Sequence, residues 1–147
     1  MENKEILLWL DDYRDPFNKP DEPAHPYLQM YCPEYVGQQD KVVWVKNYVE
    51  FRDWIIENDL PKHISFDHDL ADEHYTPEDR YDDYHLWLSE QEFKEKTGMD
   101  CAKWLIDYCL DTNSQLPTWT VHSANPSGAE NIRRLLQNFI KFQSKEK

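Results

Sequence analysis

The sequence predicts an α/β fold built on a short, mostly parallel sheet, and three observations lead to it. Four strand-length apolar runs are spread along the chain, at Ile6 to Leu10, Val42 to Val45, Ile64 to Phe66 and Trp119 to Val121. They carry the branched and aromatic side chains that suit strands covered on both faces. Helical periodicity separates the later runs, and strands alternating with helices favour right-handed crossovers and therefore parallel neighbours. The charged clusters, finally, do not fall at random: three of the four runs end in them.

Each element has its own signal. After the first run, residues 13 to 41 hold Pro16, Pro20, Pro23, Pro26 and Pro33. Proline removes a backbone donor and clashes with the preceding turn, so an irregular excursion is expected where the first crossover helix would lie. Tyr48 to Leu60 puts Phe51, Trp54 and Ile55 on one helical face and stops at Pro61. Residues 71 to 96 are rich in Asp, Glu, His and Tyr and predict a second long loop with a short helix from Tyr84 to Lys94; long loops of this kind commonly act as lids or binding loops. Thr97 to Thr112 opens with the capping-box order Thr97-Gly98-Met99-Asp100 and then places Ala102, Leu105, Ile106 and Cys109 at helical spacing. The last helix shows the clearest stripe, Ala129, Ile132, Leu135, Leu136, Phe139 and Ile140, with Ser127 and Glu130 as its start signal. No repeat or linker interrupts the chain, so residues 1 to 147 read as one domain.

Composition removes several function classes. Lys+Arg 16 against Asp+Glu 29 gives a formal charge of -13, which works against a groove for extended nucleic acid, where cations must displace counterions from many phosphates. A small phosphorylated ligand stays compatible, provided a metal or local cations offset the field. Aromatic residues at 14% indicate a packed core rather than an acidic disordered tail. No apolar run approaches a membrane span, and Met1-Glu2-Asn3-Lys4-Glu5-Ile6 lacks the order of a secretory signal. A soluble, cytoplasmic protein with no membrane partner is expected. Cys32, Cys101 and Cys109 are an odd count with no Cys-x-x-Cys pair, the latter two in a helical stretch, so neither a disulfide framework nor a zinc knuckle is favoured.

The positions of the polar residues carry the functional argument. Asp11, Asp12 and Arg14 follow the first run, Asp67-His68-Asp69 ends the third, and His122-Ser123-Ala124-Asn125-Pro126 follows the fourth. In open parallel sheets ligands bind outside the carboxyl ends of the strands, where the strand order reverses. Asp11, Asp12 and Asp67, with Asp69 as a further candidate, would there bring carboxylates close together. Such a group is unfavourable unless protonated or bridged by a cation, and oxygen donors suit a hard divalent ion, Mg²⁺ or Mn²⁺. A nitrogen from His68 or His122 would widen the choice to Fe²⁺ or Zn²⁺.

His68 and His122 are the candidates for proton transfer, because histidine titrates near neutrality. Strand alternation sets Asp67 and Asp69 on one side and His68 on the other if the strand continues that far. His25, His63, His74 and His85 read as surface or loop residues. Arg14 offers a planar fork to phosphate oxygens. Ser123, Asn125 and the amides near Ser127 and Gly128 precede a strong helix whose N-terminus could receive a phosphate; their alternative roles are a helix cap and, for Arg14, a surface ion pair.

An acidic pair after the first strand, an aspartate after the third and a hydroxyl residue after the fourth resemble the receiver domains of two-component signalling. The likeness is closer to the cyclic-phosphate processing receiver-like domains, whose hallmarks resemble Leu10-Asp11-Asp12-x-Arg14-x-Pro16, Phe66-Asp67-His68-Asp69-Leu70, Thr97-Gly98-Met99-Asp100 and His122-Ser123-Ala124-Asn125-Pro126. This resemblance implies a three-layer receiver or flavodoxin-like fold of about four strands. The first crossover helix would be replaced by the proline-rich loop, and the fifth strand, with its lysine, would be missing. It also implies an enzyme acting on nucleotide-derived cyclic phosphates such as ADP-ribose cyclic phosphate. In that scheme Asp11, Asp12 and Asp67 hold a divalent ion, and Arg14, Ser123 and Asn125 hold phosphate. His122 or His68 protonates the leaving oxygen, and Asp67 is either ligand or nucleophile. Two other classes are compatible with the residues: a non-catalytic module binding a nucleotide or protein, and a phospho-accepting signalling receiver.

Overall fold

The structure is a computed structural model that describes residues 5–12, 14–17, 24–68, 70, 82, 86, 97–123 and 125–145. In chain order its elements are β1 (Leu7–Leu10), α1 (Pro26–Tyr31), two single 3₁₀ turns (Pro33–Tyr35 and Gln39–Lys41), β2 (Val42–Val45), α2 (Tyr48–Asn58), β3 (His63–Phe66), α3 (Gly98–Thr112), β4 (Thr118–Val121) and α4 (Pro126–Lys145). The four strands form one sheet in the order β2-β1-β3-β4 with every neighbouring pair parallel. This is the receiver-like α/β architecture. The order reverses at β1, which puts the ends of β1 and β3 on either side of the crevice.

Register makes those ends level. Leu10 pairs with Val45 and with Phe66, and Phe66 pairs with Val121. Parallel bonding runs one residue further, with Asp11 N donating to Val45 O, Asp67 N to Leu10 O and His122 N to Phe66 O, at 3.0, 3.0 and 2.9 Å. Asp11, Asp67 and His122 therefore stand in a row across three adjacent strands.

The two faces of the sheet differ. Leu8, Leu10, Val45, Ile64, Phe66 and Val121 pack under α2, α3 and α4, against Phe51, Ile55, Leu105, Ile132 and Leu136. Rings of Phe51 and Phe66 lie 5.8 Å apart at the centre of this core. The opposite face is covered by α1 and its flanks, through a smaller cluster of Leu7, Trp9, Ala24, Leu28, Cys32 and Tyr35. Cys101 and Cys109 are buried thiols in α3, as their helical spacing implies.

Several boundaries differ from the sequence expectation for identifiable reasons. The proline-rich stretch contains a six-residue helix, α1, because Pro26 occupies its tolerant first turn while His25 Nδ1 accepts from Tyr27 N; Pro33 then opens the next turn. β3 and β4 each begin one residue earlier, at His63 and Thr118, polar residues on the α1 side of the sheet that carry no apolar signal. α4 starts at Pro126 rather than Ser127, since Asn125 Oδ1 caps it by accepting from Gly128 N at 3.0 Å. The capping box at Thr97 and Asp100 forms as the sequence implies. Apart from Leu86, the helix expected at Tyr84 to Lys94 lies outside the described residues, as do His74 and His85.

One close approach fixes where α3 begins. Gly98 N donates to His68 O at 2.8 Å, and a Cβ on Gly98 would collide with the backbone carbonyl of Asp67. Gly98→Ala is expected to lower stability by about 1–3 kcal/mol, the usual cost of overpacking. Urea denaturation checks this, with a midpoint equal to that of the parent counting against the contact.

Candidate functional site

The row at the strand ends holds three carboxylates and one guanidinium. Oxygens of Asp11, Asp12 and Asp67 all lie within 4.8 Å of one another. Asp11 is fully buried and Asp67 is 1% exposed. Arg14 bridges the two, with Nη1 3.2 Å from Asp11 Oδ2 and 3.4 Å from Asp67 Oδ2, while its backbone N–H donates to Asp11 Oδ1 at 3.0 Å. Neighbouring strands lie only ~4.8 Å apart, so carboxylates at adjacent ends repel unless a cation joins them. Arg14 is such a cation.

The arrangement also fits a metal ion. If all three acids are ionised, three negative charges against one positive leave two, the charge of a divalent cation. Hard-ion ligands sit ~2.0–2.6 Å from the metal, so two oxygens on one ion are separated by at most about 5 Å. The 4.8 Å envelope meets the long end of that range. Mg²⁺, with ligands at about 2.0–2.1 Å and so at most about 4.2 Å apart, would draw the oxygens closer, and an all-carboxylate donor set suits hard divalent ions as a class.

Two tryptophans shape the loop that presents these groups. Trp44 Nε1 donates to Asp11 O at 2.8 Å, and Trp9 Nε1 donates to Arg14 O at 3.0 Å. Tyr27, from α1, places its ring 5.0 Å from the Arg14 guanidinium carbon. The helix inside the proline-rich stretch thus supplies a wall of the site.

His122 is enclosed rather than presented. Its ring is fully buried and stacks on Trp9 at 3.9 Å with planes 4° apart. Nε2 lies 3.1 Å from Asp11 Oδ2, and Nδ1 lies 2.7 Å from Ser65 Oγ. Burial lowers its pKa; the Asp11 hydrogen bond and charge oppose that, and Arg14 and His25 add to it. The expectation that His122 meets a leaving oxygen thus encounters a ring with both nitrogens engaged.

His68 follows the alternation and turns to the other side of the sheet. Its ring is buried against Gly128 of α4, so close that a Cβ there would overlap the imidazole. It is a packing contact between β3 and α4. Ser123 Oγ accepts from Asn125 N at 3.1 Å, and Asn125 caps α4, which commits the Gly128 amide. Both residues thus hold the helix start, the alternative recognised from sequence. Asp12 is partly buried beside the cluster, with Oδ1 withdrawn from solvent. Asp69 lies outside the described residues.

His63 is not a loop residue but part of β3. Its Nδ1 lies 2.8 Å from Thr118 Oγ1 and its Nε2 3.2 Å from Thr120 Oγ1. Ser65, Thr120, Trp9 and Tyr27 were not singled out by sequence. The available signal was the two-residue polar alternation of His63, Ser65 and Asp67 and of Thr118, Thr120 and His122.

The family model described as cyclic-phosphate processing receiver domain matches residues 6–138. No curated protein and no solved structure matches the chain significantly.

Three histidines give the fold a pH dependence of definite sign. Burial lowers the pKa values of His25, His63 and His122 below the ordinary 6.5. The unfolded chain therefore binds more protons than the native one in the window below 6.5. Stability is expected to be complete above pH ~6.5 and to fall as the pH drops from there towards 5.5. Urea midpoints at pH 7.5 and 5.5, taken at about 0.3 M salt to screen the net acidic charge, test this; an equal or higher midpoint at 5.5 contradicts it.

Proposed function

The chain belongs to the cyclic-phosphate processing receiver family, and we propose that it is a divalent-metal-dependent phosphohydrolase or phosphodiesterase. Its substrate would be a small cyclic-phosphate nucleotide, for example ADP-ribose cyclic phosphate, rather than extended nucleic acid. The observation that carries the proposal is the buried convergence of Asp11, Asp12 and Asp67 within 4.8 Å at the strand ends.

In this reading Asp11, Asp12 and Asp67 hold Mg²⁺ or Mn²⁺. The ion supplies Lewis-acid stabilisation of charge developing on the phosphoryl oxygens. Arg14 keeps Asp11 and Asp67 together through Nη1, and its planar guanidinium is of the kind that suits phosphate oxygens. His122 acts on Asp11 rather than on substrate. With His122 enclosed and His68 packed on Gly128, the proton for the leaving oxygen is assigned to solvent in the crevice.

One observation favours a second reading, a module that binds the nucleotide without cleaving it. Arg14 already bridges two of the three carboxylates, and His122 is fully buried with both ring nitrogens engaged. No described helix is long and apolar enough to cross a membrane.

The two readings separate in one assay. Purified protein with Mn²⁺ is expected to open or hydrolyse members of a panel of cyclic-phosphate nucleotides, and EDTA is expected to stop it. Asp67→Asn should reduce turnover at least about 100-fold, the scale of losing one preorganised electrostatic contact. Recovery of a tightly bound nucleotide chemically unchanged would instead establish the binding module.

A further inference from the structure

The α1-facing side of the sheet carries a hydrogen-bonded seam that crosses two strands and ends at the carboxylate cluster. Thr118, Thr120 and His122 come from β4 and its end, His63 and Ser65 from β3, and alternation sets all five on one face. Consecutive members lie at hydrogen-bond distance. His63 Nδ1 is 2.8 Å from Thr118 Oγ1, and His63 Nε2 is 3.2 Å from Thr120 Oγ1. Thr120 Oγ1 is 2.8 Å from Ser65 Oγ, which is 2.7 Å from His122 Nδ1. His122 Nε2 is 3.1 Å from Asp11 Oδ2.

The direction of the inner links is determined by chemistry. An ionised carboxylate only accepts, so Asp11 requires a hydrogen on His122 Nε2. Thr120 Oγ1 donates to Ser65 Oγ, which leaves the Ser65 hydrogen for His122 Nδ1. That nitrogen then presents its lone pair, and His122 is the Nε2–H tautomer. Thr120 Oγ1 in turn has acceptor capacity facing His63 Nε2 and, at 3.6 Å, the Cys32 thiol. The stack on Trp9 restrains the ring from rotating out of this arrangement. None of these links is needed to build the sheet, whose backbone ladder is complete without them.

We propose that Ser65 and Thr120 select the Nε2–H tautomer of His122 and thereby orient the Asp11 carboxylate towards a bound cation. Both are positioning residues acting through His122. The orientation half rests on the reading of Asp11 as a metal ligand; the tautomer half does not. Partners of this kind behind a ligand typically change metal affinity 10–100-fold.

Two measurements on the full chain decide the matter. Long-range ¹H–¹⁵N correlation of the histidine rings at pH 7.5, with no metal added, should show His122 as the Nε2–H tautomer. Ser65→Ala should convert it to a tautomer mixture and weaken Mn²⁺ binding, measured by titration of the ion alone, about 10–100-fold. Ser65→Thr, which keeps the hydroxyl, should restore both. An Nδ1–H or doubly protonated ring in the parent protein overturns the proposal without any variant. A changed tautomer in Ser65→Ala with unchanged Mn²⁺ affinity overturns the orienting role. A parent that binds no Mn²⁺ yet shows the tautomer change removes the cation reading and leaves the hydrogen-bond assignment standing.

Discussion

Carboxylates at the ends of neighbouring parallel strands repel unless they are protonated or share a cation, and much of this molecule is arranged around that constraint. Asp11 and Asp67 meet because β1 and β3 are adjacent and end level. Arg14 joins them from the loop immediately after β1. A buried ion pair is stable only when its remaining polar positions are satisfied, and here the supporting parts come from several elements. Trp9 and Trp44 hold the carbonyls of the loop, Tyr27 lines the guanidinium, and His122 meets Asp11 from β4. The short α1 thus belongs to the electrostatics of the site as much as to the fold.

The sheet separates stability from chemistry by face. Leu8, Leu10, Ile64, Phe66 and Val121 point into the core under three helices, and truncating a buried aromatic such as Phe66 in such a core costs about 3–5 kcal/mol. Their alternating neighbours Trp9, Ser65, Thr120 and His122 build the polar seam on the other side. Because the side-chain period of a strand is two, a slip of one residue in any strand would exchange these sets. The hydrophobic pattern therefore also holds the polar seam in register.

What the sequence revealed follows from which physical signals are local. The four strands were legible because their α2–α4 side is continuous in apolar residues, and α3 because Thr97 and Asp100 form a capping box within four positions. The acidic cluster was legible because level strand ends turn sequence position into spatial position. α1 was hidden by prolines, which disfavour helix interiors but fit a first turn such as that at Pro26. His63, Ser65 and Thr120 were hidden because their partners lie on other strands, 55 to 57 positions away. Burial of His122 depends on the ring of Trp9, which a strand pattern records only as another apolar residue. The cap role of Asn125 could be weighed from sequence but not decided, since cap and ligand sites use the same donors and acceptors.

The chain contains 3 glycines in 147 residues, and two of them bring helix starts against the residues at the end of β3. Gly98 sets the first turn of α3 against the Asp67 carbonyl, and Gly128 sets the first turn of α4 against the His68 ring. Each helix start carries roughly half a positive charge from its aligned peptide dipoles. The α3 start adds partial positive potential beside the Asp67 carbonyl, while the α4 start adds it beside the His68 ring, which faces the other side of the sheet. Because the three carboxylates outnumber Arg14 at the strand ends, these helix starts moderate the local acidic field without reversing its sign.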